Sequence, residues 1–338
     1  MNNSTEQVLL KVRNLTKHFQ IQRGFPKSVS YTVKAVDDVS FTIHKKEAFG
    51  LAGESGCGKS TVGRCVLPLI DSDSGQVLLG DTDVLSLNKK DLRSIRKKMQ
   101  IIFQDPYSSL NPRRTVGQTL EEPMRVHKLY PSDEIRNVAE ELLENVGLSA
   151  NAIDKYPHEF SGGQRQRIGI ARALLFKPEL IVADEAVSAL DVSIQMQILK
   201  LMQDLKEKLS LSYLFISHDL AVVRYFCQRV AIMYLGKFVE LGTVAQIFDA
   251  PLHPYTLTLR NASPIPDPSV KQAFAELKGE VPSPISPPPG CHFHPRCPRA
   301  KDICSKVYPL WTERDEERGV ACHLYTQGKE NERFRVSR

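Results

Sequence analysis

Gly53-Glu54-Ser55-Gly56-Cys57-Gly58-Lys59-Ser60-Thr61 is the stretch on which the reading of the chain turns. It satisfies G-x-x-x-x-G-K-[ST], with an expected strand over 47–53 before it and an expected helix from about Lys59 after it. Glycines let backbone N–H groups turn inward around a phosphate, and the following helix adds its positive end. Lys59 supplies a mobile cation for β- and γ-phosphates, and Ser60 and Thr61 close the motif, with the Ser60 hydroxyl suited to Mg²⁺. Cys57 sits inside the loop either as a small residue or as an oxidisable thiol.

A second half of such a site lies far downstream. Leu180-Ile181-Val182-Ala183-Asp184-Glu185 is an apolar strand ending in two carboxylates. At the carboxyl end of a parallel strand these face a ligand crevice. Asp184 is placed to hold Mg²⁺ through water and Glu185 to polarise an attacking water. Around these two points the pattern alternates. Strands are expected over 8–20, 33–44, 100–104, 212–217 and near 230–239, and helices over 91–98, 116–150, 161–176 and 193–209. Residues 20–30 read as an inserted loop. Alternation of this kind implies an α/β fold with a largely parallel sheet and helices on its faces.

Composition sets bounds. Of 338 residues 41% are apolar, which permits a sizeable core, and the formal net charge of +6 fits an anionic ligand or membrane surface without demanding nucleic acid. No apolar run approaches the about 18 residues that span a bilayer, and the start, 1–7, lacks the apolar stretch of a signal peptide. The expectation is a cytosolic chain whose membrane role, if any, comes through a partner.

Phe160-Ser161-Gly162-Gly163-Gln164 opens another helix with a serine and two glycines, a further anion site at a helix N-terminus. Two phosphate-binding helix ends far apart in one chain pose a puzzle that a head-to-tail dimer resolves, each nucleotide lying between the lysine loop of one copy and the serine turn of the other. With this motif the chain resembles the ABC ATPases over about residues 8–260. The resemblance implies a P-loop fold with a helical subdomain near 91–175, ATP and Mg²⁺ as ligands, and ATP hydrolysis as the activity. It places Phe19 as the adenine-stacking aromatic, Gln104 as the Q-loop glutamine beside Mg²⁺ and the attacking water, Ser188-Ala189-Leu190-Asp191 as the D-loop, and His218 as the switch histidine on the γ-phosphate. Read from the residues alone, Phe19 also suits a core position with Phe25 and Tyr31 as rival aromatics, Gln104 suits a turn cap, and His218 a structural role. Phe160 stands where leucine is usual and Ala186 where proline often follows the acid, neither removing a catalytic group.

Phe103-Gln104-Asp105-Pro106-Tyr107-Ser108-Ser109-Leu110-Asn111-Pro112, together with His253-Pro254-Tyr255-Thr256, is similar to the dipeptide and oligopeptide importers. That likeness implies a sister ATPase subunit, two integral membrane permeases, an extracytoplasmic substrate-binding protein and a seat on the cytoplasmic face of the membrane, with this chain resembling the second ATPase of the pair. Nickel, glutathione and sugar-oligomer importers have similar ATPases. A soluble ABC ATPase acting on nucleic acid or ribosomes is the rival from another class. Such chains usually carry two motif sets or a long insert, and a single motif set is present here. A non-catalytic regulatory binder is a further rival, opposed by a filled catalytic set.

After about Pro251 the composition changes. Residues 261–338 read as a proline-rich arm, 264–289, followed by Cys291-x₅-Cys297-x₆-Cys304-x₁₇-Cys322. Seven cysteines, an odd number, argue against a disulfide framework. Four thiolates suit tetrahedral zinc or an iron–sulfur cluster. The lack of C-x₂-C pairs tilts the reading toward iron, and the likeness to peptide-importer tails implies a [4Fe–4S] cluster of structural role, with a site that holds no metal as the remaining alternative.

Overall fold

The computed structural model describes residues 7–23, 29–105, 107, 109–262, 280, 282–315 and 317–326. Phe25, Pro106, Ser108 and most of the proline-rich arm lie outside these. In chain order the strands are β1 (Val8–Arg23), β2 (Val29–His44), β3 (Ala48–Ala52), β4 (Ser74–Leu79), β5 (Thr82–Asp83), β6 (Met99–Ile102), β7 (Leu180–Asp184), β8 (Ser212–Ser217), β9 (Arg229–Tyr234), β10 (Lys237–Thr243), β11 (Trp311–Asp315) and β12 (Arg318–Ala321). The helices are α1 (Lys59–Val66), α2 (Lys89–Lys98), α3 (Val116–Val126), α4 (Ile135–Asn145), α5 (Gly162–Leu174), α6 (Val192–Leu209), α7 (Leu220–Phe226), α8 (Val244–Asp249) and α9 (Pro254–Ala262).

Two sheets result. The larger has the order β11-β12-β10-β9-β3-β8-β7-β6, and the smaller is β2-β1-β4-β5. Within the large sheet β9, β3, β8, β7 and β6 are parallel, whereas β9–β10, β10–β12 and β12–β11 are antiparallel. The parallel sheet expected from sequence is therefore one side of a mixed one, running from β9 to the edge strand β6. Every residue of β3, β7 and β8 is buried, as strands covered on both faces must be. Side chains alternate between two cores. Leu180 and Val182 of β7 join the core beneath β1, β2 and α1, while Ile181 and Ala183 join the one beneath α3 to α7.

Three local readings differ from expectation. Residues 20–23 and 29–30 are strand rather than loop, because Gln20↔Thr32 and Ile21↔Tyr31 continue the β1–β2 ladder. The single helix expected over 116–150 is two, since α3 ends where Lys128 takes φ 50° and Pro131 follows. The strands β4 and β5 had too short an alternation to be read from sequence.

Beyond α9 the chain returns to the main sheet. β12 pairs with β10 through Glu240↔Val320 and Leu241↔Gly319. Glu240 is fully buried there. Its carboxylate accepts from the backbone N–H groups of Leu252, 2.8 Å, and His253, 2.9 Å, and faces the Arg318 guanidinium at 3.4 Å. Glu240→Ala strands two amides and a cation, and is expected to cost about 3 kcal/mol. The measurement is a urea midpoint that falls with an unchanged slope.

Candidate nucleotide site

The parallel strands deliver their loops to one edge of the sheet. β3 runs into 53–58, β7 ends at Asp184, β8 is followed by His218, and β6 is followed by Gln104. This is the carboxyl end of the strands, where open α/β sheets bind ligands.

A cavity of about 250 Å³ opens there, lined by Ser55 to Thr61 with Gln104 and Glu185. Gly58 at φ 112° caps α1, and a Cβ on it would fall 1.9 Å from the Ala35 carbonyl oxygen, so no other residue fits. Gly56, at φ 78°, would meet nothing within 4 Å on the side where a Cβ would stand, which leaves a backbone cradle open to an anion. The buried Lys59 ammonium donates to the carbonyls of Gly53, 2.8 Å, and Glu54, 2.9 Å. Cys57 is buried, and burial pushes its thiol above the ordinary range, which favours the unreactive protonated form.

The Ser60 hydroxyl donates to Asp184 Oδ1 at 2.6 Å. Burial raises the Asp184 carboxyl, with the Ser60 hydrogen bond and Arg64 pulling it back. Hydroxyl and carboxylate oxygens converging in this way are the hard donors that suit Mg²⁺. Glu185 takes the left-handed φ of 49°, a strained setting for a non-glycine residue. Its backbone N–H donates to Ile216 O at 3.0 Å, and its carboxylate accepts from Gln104 Nε2 at 2.8 Å and lies 3.4 Å from His218 Nδ1. Gln104, Glu185 and His218 are thus brought together.

The serine turn stands elsewhere. Ser161 caps α5, its hydroxyl accepting from the Gln164 N–H at 3.3 Å while the Gln164 side chain accepts from Ser161 N–H at 3.0 Å. Ser161 and Gln164 are exposed, and neither they nor Gly162, Gly163 or Asp191 line the cavity. Asp191 is exposed at the N-cap of α6. Packing explains the glycines: a Cβ on Gly162 would lie 3.3 Å from Leu190 Cδ2, and one on Gly163 2.5 Å from Ile194 Cγ2. Phe19 is half-buried on β1 opposite Val33 with the Lys17 ammonium 5.4 Å from its ring centre. Val33 lines the cavity and Phe19 does not.

Sequence reasoning missed several groups. Val33, Lys34 and Ala35 of β2, Leu235 and Gly236 after β9, and Pro284 of the tail complete the cavity wall. Glu54 is held by Tyr255 of α9 and by Arg296 of the tail. An acid inside a phosphate loop was the one available signal, since it calls for a counter-charge.

The four tail cysteines line a second, much smaller cavity of about 10 Å³ with His253 and His323. All are free thiols. Burial pushes Cys291 up to about 12 and raises Cys297 and Cys322. Among the described residues no set of three or more His, Cys, Asp or Glu side chains is arranged to hold a metal ion. The thiols converge without forming a coordination shell.

Comparison with known proteins places this geometry. Residues 36–188 match the ABC transporter family, and residues 239–304 match the oligopeptide/dipeptide transporter C-terminal region. A probable peptide ABC transporter ATP-binding protein y4tS of Sinorhizobium fredii is 52% identical, over 94% of this chain and 90% of its own. The chain belongs to the ATP-binding proteins of ABC transporters. The oligopeptide transport ATP-binding protein AppF of Bacillus subtilis is 50% identical, over 96% of this chain and 100% of its own. Among solved structures, the dimeric ATP-binding cassette MJ0796 bound to ADP and Pi is 28% identical with a TM-score of 0.60, over 70% of this chain and 98% of its own. As a member of that family the chain is an ATPase, with ATP and Mg²⁺ as its expected ligands. Among the described residues no helix is long and apolar enough to cross a membrane.

Helix propensity alone would make Gly163→Ala neutral or stabilising. The contact with Ile194 reverses the sign, and a loss of about 1–2 kcal/mol is expected from overpacking. In an Ile194→Ala background the same change should cost much less. A double-mutant cycle by urea denaturation reads the coupling, and an unchanged penalty in both backgrounds would refute the packing account.

Proposed function

We propose that this chain binds and hydrolyses Mg-ATP to drive peptide import through partner permease subunits. The observation that carries the reading is the full-length likeness to proteins named for peptide and oligopeptide transport, tail included. On this reading the chain sits peripherally on the inner face of a membrane, pairs with a sister ATPase, and serves two permeases and an external binding protein. Its two domains are 8–260, carrying the catalytic residues, and 261–338, carrying the cysteines and the last two strands of the large sheet.

Within the site, the backbone amides of the loop from Ser55 onward and the Lys59 ammonium hold the triphosphate, while Gly53 and Glu54 shape the start of that loop. Ser60 and Asp184 hold Mg²⁺, with Gln104 at its side, and the ion supplies charge neutralisation on the phosphate oxygens. Glu185 orients and polarises the water, and His218 contacts the γ-phosphate. The Ser161-Gly162-Gly163-Gln164 turn and Asp191 close over the nucleotide of the partner subunit, which is supported by the exposure of Ser161, Gln164 and Asp191 and by none of these residues lining the cavity of their own chain. Phe19 has less support than Gln104, Asp184 and His218, because it neither lines the cavity nor has a side chain joined to a lining residue by a hydrogen bond or ion pair, as they do.

Cys291, Cys297, Cys304 and Cys322 are proposed to ligate an iron–sulfur cluster of structural role. The support is four free thiols on one cavity. Against the reading stands the cavity volume of about 10 Å³, room for roughly one water, so the thiols must separate to admit a cluster. Anaerobically purified protein should contain iron and acid-labile sulfide, both lost in Cys297→Ser. Zinc, or no metal, in the parent protein rejects it.

Glu185→Gln should retain Mg-ATP binding and lose turnover by at least about 10²-fold. Single-turnover hydrolysis at saturating ATP is the measurement, and turnover at the parent rate would remove Glu185 from its role.

A further inference from the structure

Glu54 is an acidic side chain in a loop built to hold a polyanion. Its three polar functions are each engaged. The carbonyl accepts from Lys59, its N–H donates to the Tyr255 hydroxyl at 2.9 Å, and its carboxylate is gripped end-on by Arg296, with Nη1–Oε2 at 2.9 Å and Nη2–Oε1 at 3.0 Å. The last two partners lie beyond residue 250. Tyr255 is fully buried in α9, and Arg296 is buried in the tight turn between Cys291 and Cys297.

The grip is built. Two parallel N–H···O bonds between guanidinium and carboxylate form the most directional ion pair available to side chains. The Arg296 Nη1 also donates to the Tyr234 hydroxyl at 3.3 Å. Tyr234, Tyr255 and Phe293 pack ring on ring, with centroids 4.6 to 5.5 Å apart, and fix the Tyr255 acceptor and the Arg296 donor against β9. The turn is held in its own right: Cys291 N–H donates to Cys304 O, His294 N–H to Cys291 O and Cys297 N–H to His294 O. Pro284, from the same returning segment, lines the nucleotide cavity directly.

We propose that Arg296 is a positioning residue of the nucleotide site, neutralising Glu54 and fixing its place so that the tail is an energetic part of ATP binding. An unpaired carboxylate at this point would repel the phosphates and free the loop's second residue. By reciprocity, whatever strengthens the tail's hold on Glu54 strengthens ATP binding, and ATP binding steadies the tail by the same factor. The inference depends on ATP binding at the loop, and neither on the cargo nor on what the thiols hold.

The test uses the full chain and calorimetric binding of Mg-ATP, with melting in the absence of nucleotide read first. Arg296→Ala should weaken ATP about tenfold. Arg296→Lys, a point charge without the fork, should weaken it less. Arg296→Ala combined with Glu54→Gln should bind close to the Glu54→Gln single variant, because a neutral amide needs no counter-charge. A double variant as weak as Arg296→Ala, or an Arg296→Ala protein that binds like the parent, overturns the proposal. A second readout holds even where Arg296→Ala folds poorly. Amide hydrogen exchange across 290–304 should slow on adding Mg-ATP to the parent, and this protection should shrink in Arg296→Lys. An unchanged exchange in the parent is the opposite result.

Discussion

The hydrogen bond from Ser60 to Asp184 joins two segments far apart in sequence, and the site depends on it. Ser60 belongs to the first turn of α1, which follows β3, and Asp184 ends β7, two strands away across β8. For a hydroxyl and a carboxylate to meet at 2.6 Å, β3, β8 and β7 must be parallel, in register and buried on both faces. The pairs Ala52↔Ser217 and Asp184↔Ile216 show that register at the carboxyl end. Both apolar cores are therefore conditions of the site, since each face of β7 is anchored in a different one. A shift of one residue in β7 would exchange those faces and withdraw Asp184 from Ser60.

What the sequence made legible follows from the range of each interaction. The glycine-lysine loop, the acids at the end of β7 and the serine turn before α5 are local patterns whose backbone chemistry is contained in a few residues; the loop and Glu185 meet in one cavity, and Asp184 is joined to the loop through Ser60. The central strands were legible as apolar runs. The antiparallel half of the large sheet was not, because the β10–β12 pairing joins Glu240 to Val320, and no local pattern announces a partner so distant. The β1–β2 ladder ran past its expected end for a related reason: Gln20, Gln22 and Ser30 are polar, and cross-strand pairing there overrides the apolar signal. Arg296 was invisible in the same way, a lone arginine in a cysteine-rich tail until its carboxylate partner is known.

The cysteine cluster shows the limit of spacing arguments. Four thiols within 32 residues were legible as a constellation, and they do converge. Convergence does not fix occupancy. Burial raises three of the thiols in this arrangement, and a thiol must lose its proton to ligate a metal. A metal, if bound, therefore supplies the charge that holds the thiolates, and without one the protonated thiols pack as small apolar groups.

The contacts of Glu185 bear on how the site is kept from acting too early. On the proposed roles, Gln104 must turn to the metal and His218 to the γ-phosphate, yet both now attend the Glu185 carboxylate. Each must leave that carboxylate before Glu185 is free to polarise water. The left-handed backbone of Glu185 sets the direction in which its side chain leaves the end of β7. Gln104 and His218 are both exposed and come from loops after different strands, β6 and β8. Two independent loops therefore have to exchange partners together, and a ligand that offers both new partners at once, a metal-bound triphosphate, is what makes the joint exchange favourable.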